Sequence, residues 1–245
     1  STGVVLMTLV GFVLYGSLVL LPLLLQQLLG YPALQAGIAL APRGLGSFLF
    51  MPIVGVLLSR FDARKMLATG MALAAWTLWD LSLLSLDAGY WDIFWPQLIQ
   101  GVALSLLFVP LTTVTMNPIP KERTGNATSL FNLLRNIGGS MGIATATTLV
   151  ARRQQFVINR LGANVSPYNP QAASLFEQIR RGMMARGSDA ATATRQAQGA
   201  IFGMVQQQAA MLSFLYVFQL LAILFVVAIP LLLLMIPAML TALSV

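Results

Sequence analysis

Apolar residues along the chain gather into six long runs separated by polar stretches. The runs extend approximately over Val4–Leu25, Ala33–Leu58, Met66–Leu86, Ile93–Met116, Ala127–Ala151 and Ala210–Pro237. A helix needs about 20 apolar residues to cross roughly 30 Å of hydrocarbon. The runs are continuous and do not alternate in polarity, so they predict helices and not barrel strands. The fold class implied is all-α and integral to a membrane, with six transmembrane helices in one bundle. Three regions follow: 1–151 with the first five spans, a polar segment over 152–209, and 210–245 with the last span and a tail. Within the polar segment Leu175, Phe176, Ile179, Met183 and Met184 recur near helical spacing, and Asn164–Pro170 reads as turns.

The loops orient the bundle. Gln26–Pro32 is uncharged and Asp87–Asp92 carries acids only. Ser59–Lys65 carries Arg60, Arg64 and Lys65, and Asn117–Asn126 carries Lys121 and Arg123. Short basic loops stay in the cytoplasm. The alternation places both ends inside and Arg152–Gln208 outside, because long segments translocate largely regardless of their charge. Two readings of that outer segment stand: a helical cap on its own bundle, or a docking surface for a partner protein.

Composition agrees with a lipid environment. The chain is 58% hydrophobic and 9% charged, with a mean hydropathy of +0.82, whereas a soluble domain carries about 25% charged residues. It has no Cys and no His, which excludes thiolate nucleophiles, disulfides, Ser-His-Asp triads and most zinc, haem and iron–sulfur sites. The formal charge of +7 does not predict a nucleic-acid partner, since the basic residues form no aromatic-interleaved groove. No convergent set of nucleophile, base and metal ligands predicts an enzyme. The chain opens at Ser1 without an initiator Met and is expected to be a piece of a longer protein.

Candidate chemistry lies in the polar residues inside the spans. Arg43, Asp80 and Arg135 are ionisable groups at membrane depth, where a charge costs about 2.5–3.5 kcal/mol and marks a functional hypothesis. Arg43 and Asp80 lie at similar depths, roughly 12–15 Å and 9 Å below the outer edge at about 1.5 Å per residue. An ion pair between them is one expectation, and a proton-carrying carboxylate at Asp80 is the other. Asn132, Arg135 and Asn136 share one helical face, read either as a lining or gating surface or as a structural anchor. Gly138 and Gly142 give the small-residue spacing that lets helix backbones approach closely. Gln97 and Gln100 share a face of the fourth span, as interhelical hydrogen bonds or as cavity lining, and Trp91 and Trp95 read as interfacial anchors. Tyr15, Ser17, Gln26 and Gln27 are weaker polar signals in the first span.

Two stretches resemble a known family. Gly55-Val56-Leu57-Leu58-Ser59-Arg60-Phe61-Asp62-Ala63-Arg64-Lys65 resembles the short cytoplasmic signature of the major facilitator superfamily, with Ser59 for the usual Asp and Asp62 for the usual Gly. Pro120-Lys121-Glu122-Arg123 and the following helix to Gly142 look like the fourteen-helix EmrB/QacA-type drug:proton antiporters. Ala41-Pro42-Arg43-Gly44, Trp95-Pro96-Gln97-x-x-Gln100-Gly101 and the long outer segment look like the same family. The resemblance implies the C-terminal half of a multidrug efflux transporter in the bacterial inner membrane, working by alternating access. It implies that the first and fourth spans line the cavity, which makes Tyr15, Gln26, Gln97 and Gln100 its candidate lining residues. The second and fifth spans would face the other half, with Arg43, Asn132, Arg135 and Asn136 as gating or inter-bundle residues. Gly55, Arg60, Asp62, Arg64 and Lys65 would form a cytoplasmic charge latch. No cofactor is implied beyond a proton gradient, and the coupling carboxylates are expected in the missing half. The expected partners are amphiphilic or drug-like small molecules, the lipid bilayer, and a periplasmic adaptor protein with an outer-membrane channel. An exporter of a defined metabolite or siderophore, and a membrane-anchored scaffold, are the rival readings.

Overall fold

Helix is the one way for a long apolar run to satisfy its backbone within hydrocarbon without a closed barrel, and each of the six runs lies largely in helix, the third ending at Leu81 and not at Leu86. The computed structural model describes the backbone of residues 2–116, 124–164 and 170–241, and side-chain surroundings for 8–113, 125–126, 128–162 and 170–230. Seven helices are present among the described residues: α1 Thr2–Gln27, α2 Ala33–Leu57, α3 Ala63–Leu81, α4 Tyr90–Met116, α5 Thr124–Asn164, α6 Pro170–Ala185 and α7 Ala190–Thr241. Four stretches are long and apolar enough to cross a membrane: Thr8–Gln27, Ala33–Leu57, Tyr90–Thr113 and Ala190–Pro230. The remaining two expected spans are helical but more polar. α3 holds Arg64, Lys65 and Asp80 within 19 residues, and α5 mixes its leucines with Asn132, Arg135, Asn136, Ser140 and several glycines.

Two compact units divide the chain. The first comprises 1–147 and 215–245, the second 148–214. In the first, α4 packs along both α2 and α3, while α1 touches α2 and α4 more lightly. α2 and α3 share no comparable packing although they are consecutive, so α4 is the element between them. The core is aliphatic and aromatic: Leu20, Leu21, Leu24 and Leu25 of α1, Met71 and Leu78 of α3, Leu107 of α4, and Phe218 and Phe225 of α7 are all fully buried. α2 turns the opposite kind of surface outward. Leu34, Leu45, Phe48, Leu49 and Val56 are exposed, a face too apolar for water that suits lipid or further protein.

Small residues set the helix spacing. A methyl group built on Gly11 of α1 would stand 2.6 Å from the carbonyl oxygen of Arg135, and one on Gly138 or Gly142 of α5 would collide with the backbone of Thr8 or Phe12. The Gly138/Gly142 spacing therefore brings α5 and α1 backbone to backbone, as predicted. Gly46 of α2 and Gly101 of α4 do the same, each facing the other helix's main chain, and Ser105 Oγ donates across that contact to the Ser47 carbonyl at 3.1 Å.

α5 and α7 run on beyond the apolar limits at Ala151 and Ala210. Neither extension contains Pro, and Ala, Gln and Arg sustain a helix outside hydrocarbon. The second unit consists of these extensions and α6. Its centre is a row of small and medium residues, Ala193, Ala197 and Ile201 of α7 with Val157 of α5. α6 ends where Gly187, at φ +96°, lets the Ser188 amide reach the Met183 carbonyl at 3.2 Å. α7 then starts from Asp189, whose carboxylate accepts from the amides of Ala191 and Thr192, both at 3.2 Å. The loop over Asn117–Arg123, the tail 242–245 and most of the Asn164–Pro170 turn lie outside the described residues.

Candidate functional site

Arg43 is the most unusual side chain of the first unit. α2 carries it at the Gly46/Gly101 crossing, and it is only 7% exposed. Its Nε has no hydrogen-bond partner, and no ion pair reaches it among the described residues. It forms one wall of a groove of about 670 Å³ between α1, α2 and α4, whose other walls include Leu18, Val19, Leu23, Leu40 and Leu104. One buried cation thus faces an apolar trough.

The ion pair expected between Arg43 and Asp80 is not formed. Asp80 lies on α3, separated from α2 by α4, and its side chain is exposed. It borders a separate cavity of about 230 Å³ together with Asp92, Ser85 and Leu84. Equal depth was insufficient, because α2 and α3, although consecutive in the chain, are not packed together here.

Gln97 and Gln100 are 1% exposed each and bond to one another, Gln97 Nε2 donating to Gln100 Oε1 at 3.2 Å. Gln97 Oε1 and Gln100 Nε2 have no partner among the described residues. Neither borders the groove. Tyr15 packs its ring over Gly139 of α5, and Gln26 is exposed at the end of α1. Of the four residues expected to line a cavity, Gln97 and Gln100 sit together, and none of the four is a wall of the groove that Arg43 borders. The walls went unnoticed in sequence because they are ordinary aliphatic residues. Pro22 also borders the groove.

Arg135 is half-buried on α5. Its guanidinium carbon stands 5.8 Å from the Phe108 ring centre on α4, within cation–π range, and its Nε has no hydrogen-bond partner among the described residues. Asn132 beside it is half-buried and Asn136 exposed. In the loop signature, Asp62 is the N-cap of α3, accepting from the Arg64 amide at 3.4 Å. Gly55, Arg60 and Lys65 are exposed and Arg64 is half-buried. None of the three cations joins an ion pair among the described residues. Tyr90, Trp91, Phe94 and Trp95 form a chain of ring contacts 5.2–5.9 Å apart at the start of α4, an aromatic belt of the kind found at membrane interfaces.

The second unit holds its own cavity of about 560 Å³. Ile158, Phe176, Ile201, Phe202 and Val205 form its apolar walls, and Glu177 and Gln198 its polar ones. Arg180 Nη2 donates to Glu177 at 2.8 Å, with Arg181 3.9 Å away. The hydrogen bonds from Arg180 hold the Glu177 carboxyl below its ordinary value.

Comparison with known proteins decides the family. The profile of the Major Facilitator Superfamily matches residues 2–143, more than half of the chain. The chain belongs to the Major Facilitator Superfamily. Within the superfamily it is similar to the "Multidrug export protein EmrB" of Haemophilus influenzae, 37% identical over 174 residues, covering 70% of this chain and 34% of that one. The corresponding protein of Escherichia coli K12 is 33% identical over 180 residues, 73% of this chain and 35% of its own length. The "Fatty acid resistance protein FarB" of Neisseria gonorrhoeae is 32% identical over 224 residues, 91% of this chain and 43% of its own. The chain thus spans about a third of the length of the EmrB proteins it matches. It is a multi-pass chain of the cytoplasmic membrane, all-α as its apolar runs predicted, and a transporter-family protein by descent.

Proposed function

We propose that this chain forms part of a secondary active efflux transporter that moves amphiphilic, drug-like compounds out of the cell in exchange for protons. The observation carrying the reading is the joining of superfamily membership to relatives named for multidrug export and fatty acid resistance. The apolar groove with its single buried cation supports it, because alternating access needs a solvent- or substrate-filled space at membrane depth. Helices in backbone contact through glycines support it as well, since they make a bundle that moves as a rigid body. A proton gradient supplies the energy, and no cofactor takes part. The second unit lies on the extracytoplasmic face, where its helices offer a surface to a periplasmic adaptor protein and its outer-membrane channel.

The test is accumulation of a fluorescent amphiphile in pump-deficient cells carrying the full-length protein. Accumulation below that of the empty-vector strain, abolished by a protonophore, is expected. Equal accumulation in both strains with the protein present in the membrane overturns the reading.

A further inference from the structure

We infer that Arg43 and the groove it enters form a subsite for an anionic amphiphile, with the guanidinium binding the acidic head and the α1–α2–α4 trough taking the hydrocarbon body. The inference rests on the efflux reading and adds the charge of the compound and the residue that selects it. Two independent observations meet here. The first is the side chain: Arg43 is more than nine-tenths buried, with Nε lacking any acceptor. A cation so placed costs free energy until an acceptor arrives. The second is the space before it: about 670 Å³, within the range of roughly 300–1,000 Å³ that small-molecule pockets occupy.

The walls decide the ligand class. Leu18, Val19 and Leu23 of α1, Leu40 of α2 and Leu104 of α4 offer hydrocarbon surface. The one hydroxyl on the wall, Ser47, already donates to the Gly44 carbonyl at 2.9 Å. Among the described residues no carboxylate borders the groove, so none of them recognises a cationic head, and a sugar or nucleotide would find too few partners. A guanidinium fork opposite an aliphatic trough matches a carboxylate or sulfate on a chain of methylenes, since the fork binds planar oxyanions in bidentate fashion. The Gly46/Gly101 crossing fixes α2 against α4 at this level, so the cation is held at the groove by main-chain packing.

The experiment uses the full-length protein purified in detergent, with dodecanoate and dodecyltrimethylammonium as probes of equal chain length and opposite charge. Binding is followed by calorimetry and export in proteoliposomes. Wild type is expected to prefer dodecanoate. Arg43→Gln is expected to shift the dodecanoate-to-ammonium affinity ratio by roughly tenfold to a hundredfold, the scale of one lost charged hydrogen-bond pair. Arg43→Lys keeps the charge without the fork and is expected to fall between. Leu104→Trp narrows the trough beside an intact cation and is expected to weaken dodecanoate binding, which decides the matter if Arg43→Gln fails to fold. An unchanged ratio in a folded Arg43→Gln protein overturns the inference. So does an equal loss for both probes, which assigns Arg43 to a carboxylate of the protein itself. Wild-type binding of dodecanoate without any export leaves the subsite standing and overturns only the efflux reading.

Discussion

The carbonyl oxygen of Arg135 lies directly over Gly11, where a β-carbon would stand 2.6 Å away. The polar residue of α5 and the glycine of α1 are thus parts of one contact. Close main-chain approach is what allows Arg135 to sit at a fixed height facing Phe108. A side chain at position 11 would push α5 away from α1 and displace the guanidinium with it.

Gly11→Ala is therefore expected to lower the thermal midpoint of the detergent-purified full-length protein, with a cost of about 1–3 kcal/mol, the usual scale of overpacking. Gly142→Ala, against the Phe12 main chain, is expected to cost at least as much. Gly16→Ala meets the Gly142 carbonyl at 3.2 Å and is expected to cost less. Gly37 has nothing within 4 Å, and Gly37→Ala is expected to be neutral or to stabilise the helix by up to about 1 kcal/mol. Equal midpoints for all four variants would show that the glycines are incidental.

Asp189 gives the second unit a dependence on pH. The hydroxyl and amide of Thr192 donate to its carboxylate, the amide of Ala191 adds to them, and together they hold its pKa below the ordinary aspartate value. A carboxyl lowered in the folded state contributes stability above its unfolded pKa and loses it as pH falls through the lowered folded value. Helix content at the start of α7 is expected to be constant at neutral pH and to drop in acid, below about pH 4. Asp189→Asn retains a capping oxygen without a titrating group and is expected to remove that acid step. Circular dichroism between pH 7 and pH 2 checks this, and an identical acid step in Asp189→Asn contradicts it.

The membrane helices were legible because hydrocarbon forces a simple code of length and apolarity, and α2, α3, α4 and α7 start directly after Pro32, Asp62, Gly89 and Asp189. Gly138 and Gly142 were legible for a similar reason, since small residues four apart have one dominant use in a membrane helix. The partners of Arg43 and Asp80 were not. Depth along a helix is a local property readable from numbering, but which helices touch depends on how three or more of them pack. α4 separates α2 from α3, so matched depths led to the wrong pair. The groove walls were hidden for a different reason. Leu18, Leu40 and Leu104 are identical in type to residues that face lipid, and only their convergence on Arg43 distinguishes them. The continuation of α5 past Ala151 was missed because the membrane signal ends there while the helix-forming signal does not.

Topology can be checked in the Cys-free background. Ala190 is exposed at the start of α7, and Lys65 is exposed near the start of α3. Single cysteines at these positions in the full-length protein are expected to behave oppositely toward a membrane-impermeant maleimide. Ala190→Cys is expected to be labelled in intact cells, and Lys65→Cys only after lysis. The opposite pattern overturns the loop-charge assignment, and labelling of both in intact cells places the second unit and the basic loop on one side.

The role of Arg135 can be separated from its contact with Phe108. Its guanidinium lies 5.8 Å from the centre of the Phe108 ring, a contact both Arg and Lys can make with an aromatic face. Its Nε is buried without a partner, and only the planar fork of Arg binds an oxyanion in bidentate fashion. If the ring alone holds the cation, Arg135→Lys preserves most of its effect. If the fork takes a carboxylate in one state of the transport cycle, Lys fails, because a pairing present in only one state shifts the balance between them. Normal abundance with at least a tenfold loss of efflux in Arg135→Lys is expected, and Phe108→Leu is expected to cost less than threefold. Those thresholds correspond to about 1.4 and 0.6 kcal/mol of differential stabilisation. Wild-type efflux by Arg135→Lys together with loss in Phe108→Leu would mean that the aromatic contact is the whole role of Arg135, and the Asn132/Arg135/Asn136 face would then be helix packing without a gate.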